Sequence, residues 1–288
     1  MASGTPGVSF LSVFQFTALV WLGSLVAGFL GALTGLGGGV VIVPLLTLCF
    51  GIDIRYAIGA SLVSVIATSS GAAAAYLKEG FSNMRIGMFL EIATTLGALV
   101  GAHLAGRISA EVIGIIFGMV LLISAYISYW PHGDNPQQHA PDSLAVRLGM
   151  SGTYPSVAGP RSYTARSVLS GFGLMGIAGV LSGLLGIGSG ALKVLAMDQV
   201  MRIPFKVSTT TSNFMIGVTA AASAGIYLHR GNIDPVLAMP VTLGVLVGAL
   251  AGTRVLVRAP TRALRVVFSL VIAVLALQMI YRGATGSL

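Results

Sequence analysis

Long apolar runs almost free of charge recur along the whole chain, and nothing else in the sequence constrains its fold as tightly. Residues 10–33, 57–76, 86–104 and 112–130 make one set, and residues 168–185, 207–227, 236–255 and 264–281 make a second. Each run approaches the ~20 residues that a helix needs to cross a hydrocarbon core. The surface requirement agrees: only 8% of the residues are charged and 55% are hydrophobic, with a mean hydropathy of +0.93, whereas a soluble domain carries about a quarter charged residues. Too little polar surface exists to clothe a soluble body. The expected fold class is therefore an all-α polytopic membrane protein, embedded in the lipid of the plasma (inner) membrane. Its 39 glycines fit, because small residues let membrane helices approach closely.

The net charge of +8 does not imply a nucleic-acid partner. The basic residues are scattered through short loops between apolar runs and form no stripe with aromatics. The single cysteine, Cys49, lies in an apolar stretch and permits no intrachain disulfide. No basic residue precedes the first apolar run, which favours a retained first span over a cleaved signal peptide.

Displacing the chain on itself by 151 positions aligns two halves without a gap. Gly35, Gly37 and Gly39 fall on Gly186, Gly188 and Gly190; Ser61 falls on Ser212, Thr68 on Thr219, Gly80 on Gly231, Gly101 on Gly252 and Arg107 on Arg258. The stretch between the halves, residues 131–166, is polar and holds five of the eleven prolines, the composition of an extramembrane linker. The chain thus divides into an N-terminal transmembrane repeat at 10–130, this linker, and a C-terminal transmembrane repeat at 167–282. Each repeat has four long helices plus a glycine knot followed by only about ten apolar residues, roughly 15 Å of helix. That segment is a half-helix, a re-entrant hairpin or a strongly tilted short crossing.

Whether it crosses sets the topology, since four crossings per half make parallel repeats and five make inverted ones. With five, the loop lysines and arginines divide eleven to four between the two sides; with four, they divide eight to seven. The positive-inside rule favours inverted repeats, a cytoplasmic linker, and Met1 and Leu288 on the opposite side.

Paired, glycine-interrupted short segments at matching positions are the best sequence pointer to a transporter's binding site. Gly37, Gly38 and Gly39 precede one half-helix; Gly188, Ser189 and Gly190 precede the other. Such a knot can form a nest of backbone N–H groups at a helix start, suited to a small anion, with hydroxyls of Thr34 and Ser189 as further donors. The bland reading is that the glycines only allow a turn or close packing. Gly97 with Gly101 and Gly248 with Gly252, inside long helices at small-xxx-small spacing, take that packing reading.

Ionisable residues within membrane spans are functional candidates because burying them is costly. Lys193, three residues past the second knot where the first half has Ile42, either binds substrate or snorkels to the interface. Asp198 is its partner or marks the end of the segment. Glu91 is a proton carrier or an interfacial carboxylate paired with Arg85. Among the small polar residues that open the following helices, Asn213 is the preferred cavity-lining candidate. The four histidines are dispersed and offer no metal or nucleophile constellation. No catalytic cluster, metal site or cofactor is expected, and the chain is not read as an enzyme.

The doubled motif, Gly35-Leu36-Gly37-Gly38-Gly39 with Val43-Pro44-Leu45, then Gly186 to Gly190 with Lys193-Val194 and Ser208 to Asn213, resembles the TauE/SafE sulfite exporter family over both halves. That resemblance implies a multi-span permease for sulfite, organosulfonates or related sulfur-containing anions. Two departures stand out: Ser189 replaces a glycine often seen in the second knot, and Leu195 stands where the family often has proline. The second half-helix is accordingly expected to be less bent than the first.

The expected function is a secondary transporter that moves a small anionic solute by alternating access. The alternative is a passive anion channel, which would show a continuous polar pore and flux without saturation. A homo-oligomer is compatible with the sequence.

Overall fold

The computed structural model describes residues 13–34, 38–78, 82–129, 142–154, 161–256 and 261–287. The first half comprises α1 (Val13–Thr34), the short α2 (Gly39–Pro44, continuing as a π-turn over Leu45–Cys49), α3 (Ile54–Lys78), α4 (Met84–Ala105) and α5 (Ala110–Tyr129). The second half repeats this order with α7 (Val168–Leu185), α8 (Gly190–Leu195, continuing as a π-turn over Ala196–Val200), α9 (Phe205–His229), α10 (Pro235–Leu256) and α11 (Thr261–Thr285). Four of these, over Phe14–Gly31, Met84–Ala105, Val168–Leu185 and Pro235–Gly252, are long and apolar enough to cross a membrane. An all-α bundle follows from the apolar runs, because a helix satisfies every backbone polar group within its own segment.

The described part of the linker, residues 142–154 and 161–166, is more ordered than its composition suggests and adds the β-structure that the all-α expectation omits. Helix α6 (Ser143–Arg147) leads into an antiparallel hairpin of β1 (Ser151–Tyr154) and β2 (Arg161–Thr164). Ala145, Met150, Tyr163 and Ala165 pack with Ile86 of α4, Val168 of α7, Val207 of α9, and Met201 and Ile203. The Asn83 side-chain amide donates to the Tyr163 hydroxyl at 2.8 Å, and the Arg85 guanidinium donates to the Gly149 carbonyl at 3.2 Å. The linker therefore caps the end of the bundle where α4, α7 and α9 begin. At the repeat-equivalent end of the first half, a cavity of about 210 Å³ is lined by Thr47, Gly51, Ile52, Asp53, Arg282 and Ser287.

Helix directions follow from which residues meet. Gly59, early in α3, faces Asn232 beyond the end of α9, while Ser69, later in α3, faces Gly217 in mid-α9, so these equivalent helices run antiparallel. The same holds for α5 and α11, where Gly118 meets Ala276 and Ile280, and Gly283 meets Glu111 and Ile115. By contrast α4 lies parallel to α7, with Thr94 at Gly179 and Ala98 at Gly183; α10 lies parallel to α1, with Gly244 at Trp21 and Gly248 at Leu25. Each half thus lends one helix to the other. Gly97 and Gly101 sit directly on α7 backbone, and a Cβ there would overlap it. Their packing role is as the small-xxx-small spacing predicts.

Both short helices fold back along the helix before them. In the first half Leu45 reaches Gly23, and the rings of Phe50 and Phe16 meet edge to face at 5.9 Å. In the second half the Ser189 hydroxyl donates to the Ala178 carbonyl at 2.6 Å, while Met201 packs on Gly171 near the start of α7. Each short helix therefore begins near the middle of the bundle and ends at one face. Leu195 in place of proline does not distinguish them: both pass from α to π register at the same repeat position. Both also stop on a residue with positive φ, Gly51 (63°) and Arg202 (55°), sealed by equivalent bonds from Ile52 N to Leu46 O and from Ile203 N to Met197 O. That is the left-handed helix stop that glycine adopts without strain and arginine does not. Tertiary packing imposes the turn on Arg202.

Candidate functional site

Gly39, the last residue of the first knot, meets the second knot in the buried interior of the bundle. Ser61 of α3 donates to the Gly186 carbonyl at 2.8 Å. The first residue of α2, Gly39, abuts the same pair: a Cβ there would lie 2.8 Å from Ser61 Oγ, 2.9 Å from Val65 and 3.2 Å from Gly186 O. Across the junction Ser212 of α9 donates to the Gly190 carbonyl at 3.3 Å. Gly186 (φ 67°), Gly188 (φ 68°) and Ser189 (φ 41°) turn the chain between α7 and α8. Gly38 instead has ordinary helical angles and caps α2. The side chain of Thr34 and all of Gly37 lie outside the described residues. Ser189 is buried with its hydroxyl committed to Ala178, so it is not the free donor expected at the knot.

One turn into α8, Lys193 is wholly buried (0% exposed), which excludes snorkelling in this structure. Its ammonium donates to Thr219 Oγ1 of α9 at 2.5 Å. The Thr219 hydroxyl lies 2.7 Å from Glu91 Oε1 of α4, to which Thr95 also donates at 3.0 Å. Glu91 is 7% exposed, and its second oxygen, Oε2, is buried without a hydrogen-bond partner. The structure thus joins a cation, a hydroxyl and a carboxyl from three helices and both halves into one chain.

Three expectations change accordingly. The charge facing Lys193 is Glu91, since Asp198 is half-buried at the end of α8 and accepts from Gln199 at 3.1 Å. Arg85 does not pair with Glu91, because its guanidinium goes to the linker carbonyl of Gly149. Asn213 is half-buried on α9 and is not one of the residues that the hydrogen bonds from Lys193 through Thr219 to Glu91 join. The residue missed in the sequence is Thr219. It was visible as the repeat partner of Thr68, but a threonine inside an apolar helix most often bonds its own preceding turn. Thr219 does that too, at 2.8 Å to the Met215 carbonyl; only the approach of α4 and α8 gives it a second use.

The duplication also shows what is unique here. The positions equivalent to Lys193, Thr219 and Glu91 are Ile42, Thr68 and Thr242. Thr68 bonds the Ser64 carbonyl at 3.0 Å, and Thr242 Oγ1 is buried without a partner. A charged chain exists in one copy only, on one side of an otherwise duplicated centre.

The profile of the sulfite exporter TauE/SafE family matches residues 20–279. The chain belongs to that family. Among its relatives, a probable membrane transporter protein of Bacillus subtilis (strain 168), YunE, is 28% identical over 277 residues, covering 93% of this chain and 98% of its own. A second from the same organism, YdhB, is 28% identical over 241 residues, covering 82% and 87%. A probable membrane transporter protein of Xylella fastidiosa (strain 9a5c) is 25% identical over 266 residues, covering 91% and 93%. No solved structure matches. Family and relatives place the chain among multi-pass membrane transporters and not among enzymes, and the family match spans both knots and the Lys193 chain.

Proposed function

We propose that the protein is a secondary transporter of the plasma membrane that moves a small sulfur-containing anion, such as sulfite or an organosulfonate, by alternating access. The observation that carries this reading is the wholly buried Lys193 one turn beyond a glycine knot at the centre of the bundle. A lysine removed from water is costly, and its retention at such a place is accounted for by a ligand that needs a full positive charge. Helix-end dipoles supply only about half a charge, so an anion in a low-dielectric centre gains much from Lys193. The first-turn N–H groups of α8 have no acceptor within the helix and are a second source of donors.

The two halves act as inverted repeats in this proposal. Antiparallel α3 against α9 and α5 against α11, with α2 and α8 folded back from the centre, support it. Rocking one half against the other about the junction of Gly39, Ser61 and Gly186 would open the site to either side in turn. The linker, on the end where α4, α7 and α9 begin, lies on the cytoplasmic face in this arrangement.

Flux into proteoliposomes tests the proposal, with sulfite, sulfoacetate, taurine and simple carboxylates supplied with and without a pH gradient. Saturable, competable flux of at least one sulfur-containing anion is expected. Flux proportional to concentration, without saturation, would identify a passive channel instead.

A further inference from the structure

We infer that Glu91 is a proton site coupled to anion binding at Lys193, with Thr219 carrying the coupling between them. The inference rests on the reading of Lys193 as the anion ligand. The geometry that supports it is the incomplete satisfaction of Glu91. An ionised carboxylate has about four acceptor positions, and among the described residues this one meets two threonine hydroxyls on Oε1 and nothing on the buried Oε2. A buried, unpartnered charged oxygen is far costlier than a neutral one. Protonation at Oε1 leaves Oε2 a neutral carbonyl oxygen and makes Glu91 a donor.

Thr219 can follow that change without moving. Its one O–H proton has two acceptors within reach, Glu91 Oε1 at 2.7 Å and the Met215 carbonyl at 2.8 Å. With Glu91 ionised, the Thr219 proton points at the carboxylate and its oxygen accepts from Lys193. With Glu91 protonated, the carboxylic O–H donates to Thr219 Oγ1 and the Thr219 proton turns to Met215. Lys193 keeps a hydrogen bond but loses its compensating charge. An incoming anion then restores neutrality. Proton and anion therefore bind together, and the cycle is a proton symport of one proton per turnover, because the equivalent positions Ile42, Thr68 and Thr242 carry no ionisable group.

Apart from Lys193 itself, no other titratable group among the described residues competes for this role. Helix α7, packed on α4, has none, and Lys206, Tyr227 and His229 of α9 sit at the ends of that helix. Tyr227 donates to the Gly183 and Leu184 carbonyls, on the far side from the linker. Asp198 lies at the end of α8, and on α4 itself Arg85 and His103 occupy the two ends. The linker's Tyr163 meets Asn83, two turns before Glu91.

The test uses methanesulfonate, whose charge does not change across the working pH range, so any pH effect belongs to the protein. Binding to wild-type protein in nanodiscs should weaken by about tenfold per pH unit above the Glu91 titration, the slope that linkage gives for one proton. Glu91→Gln should lose that slope and lose accumulation driven by a pH gradient. Infrared difference spectra of wild type should show a carboxylic acid band that titrates with pH, shifts in Glu91→Asp and is absent in Glu91→Gln. These spectra need no transported solute. If no small anion binds or moves but the band titrates, the anion reading fails and the proton site stands. Unchanged pH dependence of binding in Glu91→Gln, or the absence of a titrating band assigned to Glu91, would overturn the inference.

Discussion

The charge pair across Thr219 allows its strength to be worked out from the structure and measured by a double-mutant cycle. Two hydrogen bonds of 2.5 and 2.7 Å in series hold Lys193 Nζ and Glu91 Oε1 no further apart than the 5.2 Å to which they sum. Unit charges about 5 Å apart attract by about 3 kcal/mol at the effective dielectric constant of about 20 that suits protein sites. Lys193→Met keeps the stem's bulk and removes the charge, leaving Glu91 buried and uncompensated, so it should lower stability by about 3 kcal/mol, in the range for breaking a buried pair. Glu91→Gln should cost a similar amount by stranding the ammonium. The double variant strands neither and should be about 3 kcal/mol more stable than the two single effects predict. Equilibrium unfolding in mixed micelles, with all four proteins at the same pH and salt, measures the cycle. Anion affinity on the same proteins separates function from folding: Lys193→Met should lose at least about tenfold, or 1.4 kcal/mol, and should not recover it when Glu91→Gln is added. A coupling energy below about 0.5 kcal/mol, the scatter expected of independent sites, would show that the two charges do not sense each other and would refute the argument.

Further outcomes are expected at the first glycine knot, at the linker and at its hairpin. Gly39→Ala should cut transport at least about tenfold while leaving a monodisperse protein, because its Cβ would wedge between Ser61 and Gly186 where the knots meet. Gly38→Val should also impair transport, but its Cβ meets chiefly a Val245 methyl at 2.8 Å, so a transport loss exceeding that of Gly39→Ala would contradict the placement of the centre. In a Cys49→Ser background, cysteine placed at the exposed Ser143 should react with an impermeant maleimide only after cells are permeabilised, and labelling of intact cells would refute a cytoplasmic linker. Tyr163→Phe removes the acceptor for Asn83 and should loosen the hairpin by about 1 kcal/mol, read as faster hydrogen exchange in 161–164. Burial holds the Tyr163 phenol above its usual range. The stability this lends is complete below the ordinary tyrosine pKa of about 10 and is lost as pH rises past it, so exchange in wild type should accelerate only under strongly alkaline conditions.

The sequence by itself determined the membrane class, the two halves and the place of the short segments, because each is written in local pattern. Apolar runs of near-bilayer length leave no soluble alternative, and the displacement of 151 positions aligns glycines, threonines and loop residues that a helix's own periodicity does not produce. It also marked Lys193 and Glu91, since a charge in an apolar run stands out without reference to any neighbour. What it did not contain was who faces whom. Asp198, five residues along, was the nearer candidate partner for Lys193 in the chain, and Arg85, six residues away, for Glu91. The structure instead brings Glu91 from α4 and Thr219 from α9 to Lys193. That choice depends on how α4 crosses over to lie along α7 and α9, which is fixed by the close backbone contact at Gly97, Gly101, Gly179 and Gly183. The folding of the linker was hidden for the same reason: its polar, proline-rich composition reads as a loop, and its order comes from apolar contacts with helix ends far away in sequence. Arg202 is the plainest instance, a residue with no preference for a left-handed turn that adopts one because the packed half-helix must stop there.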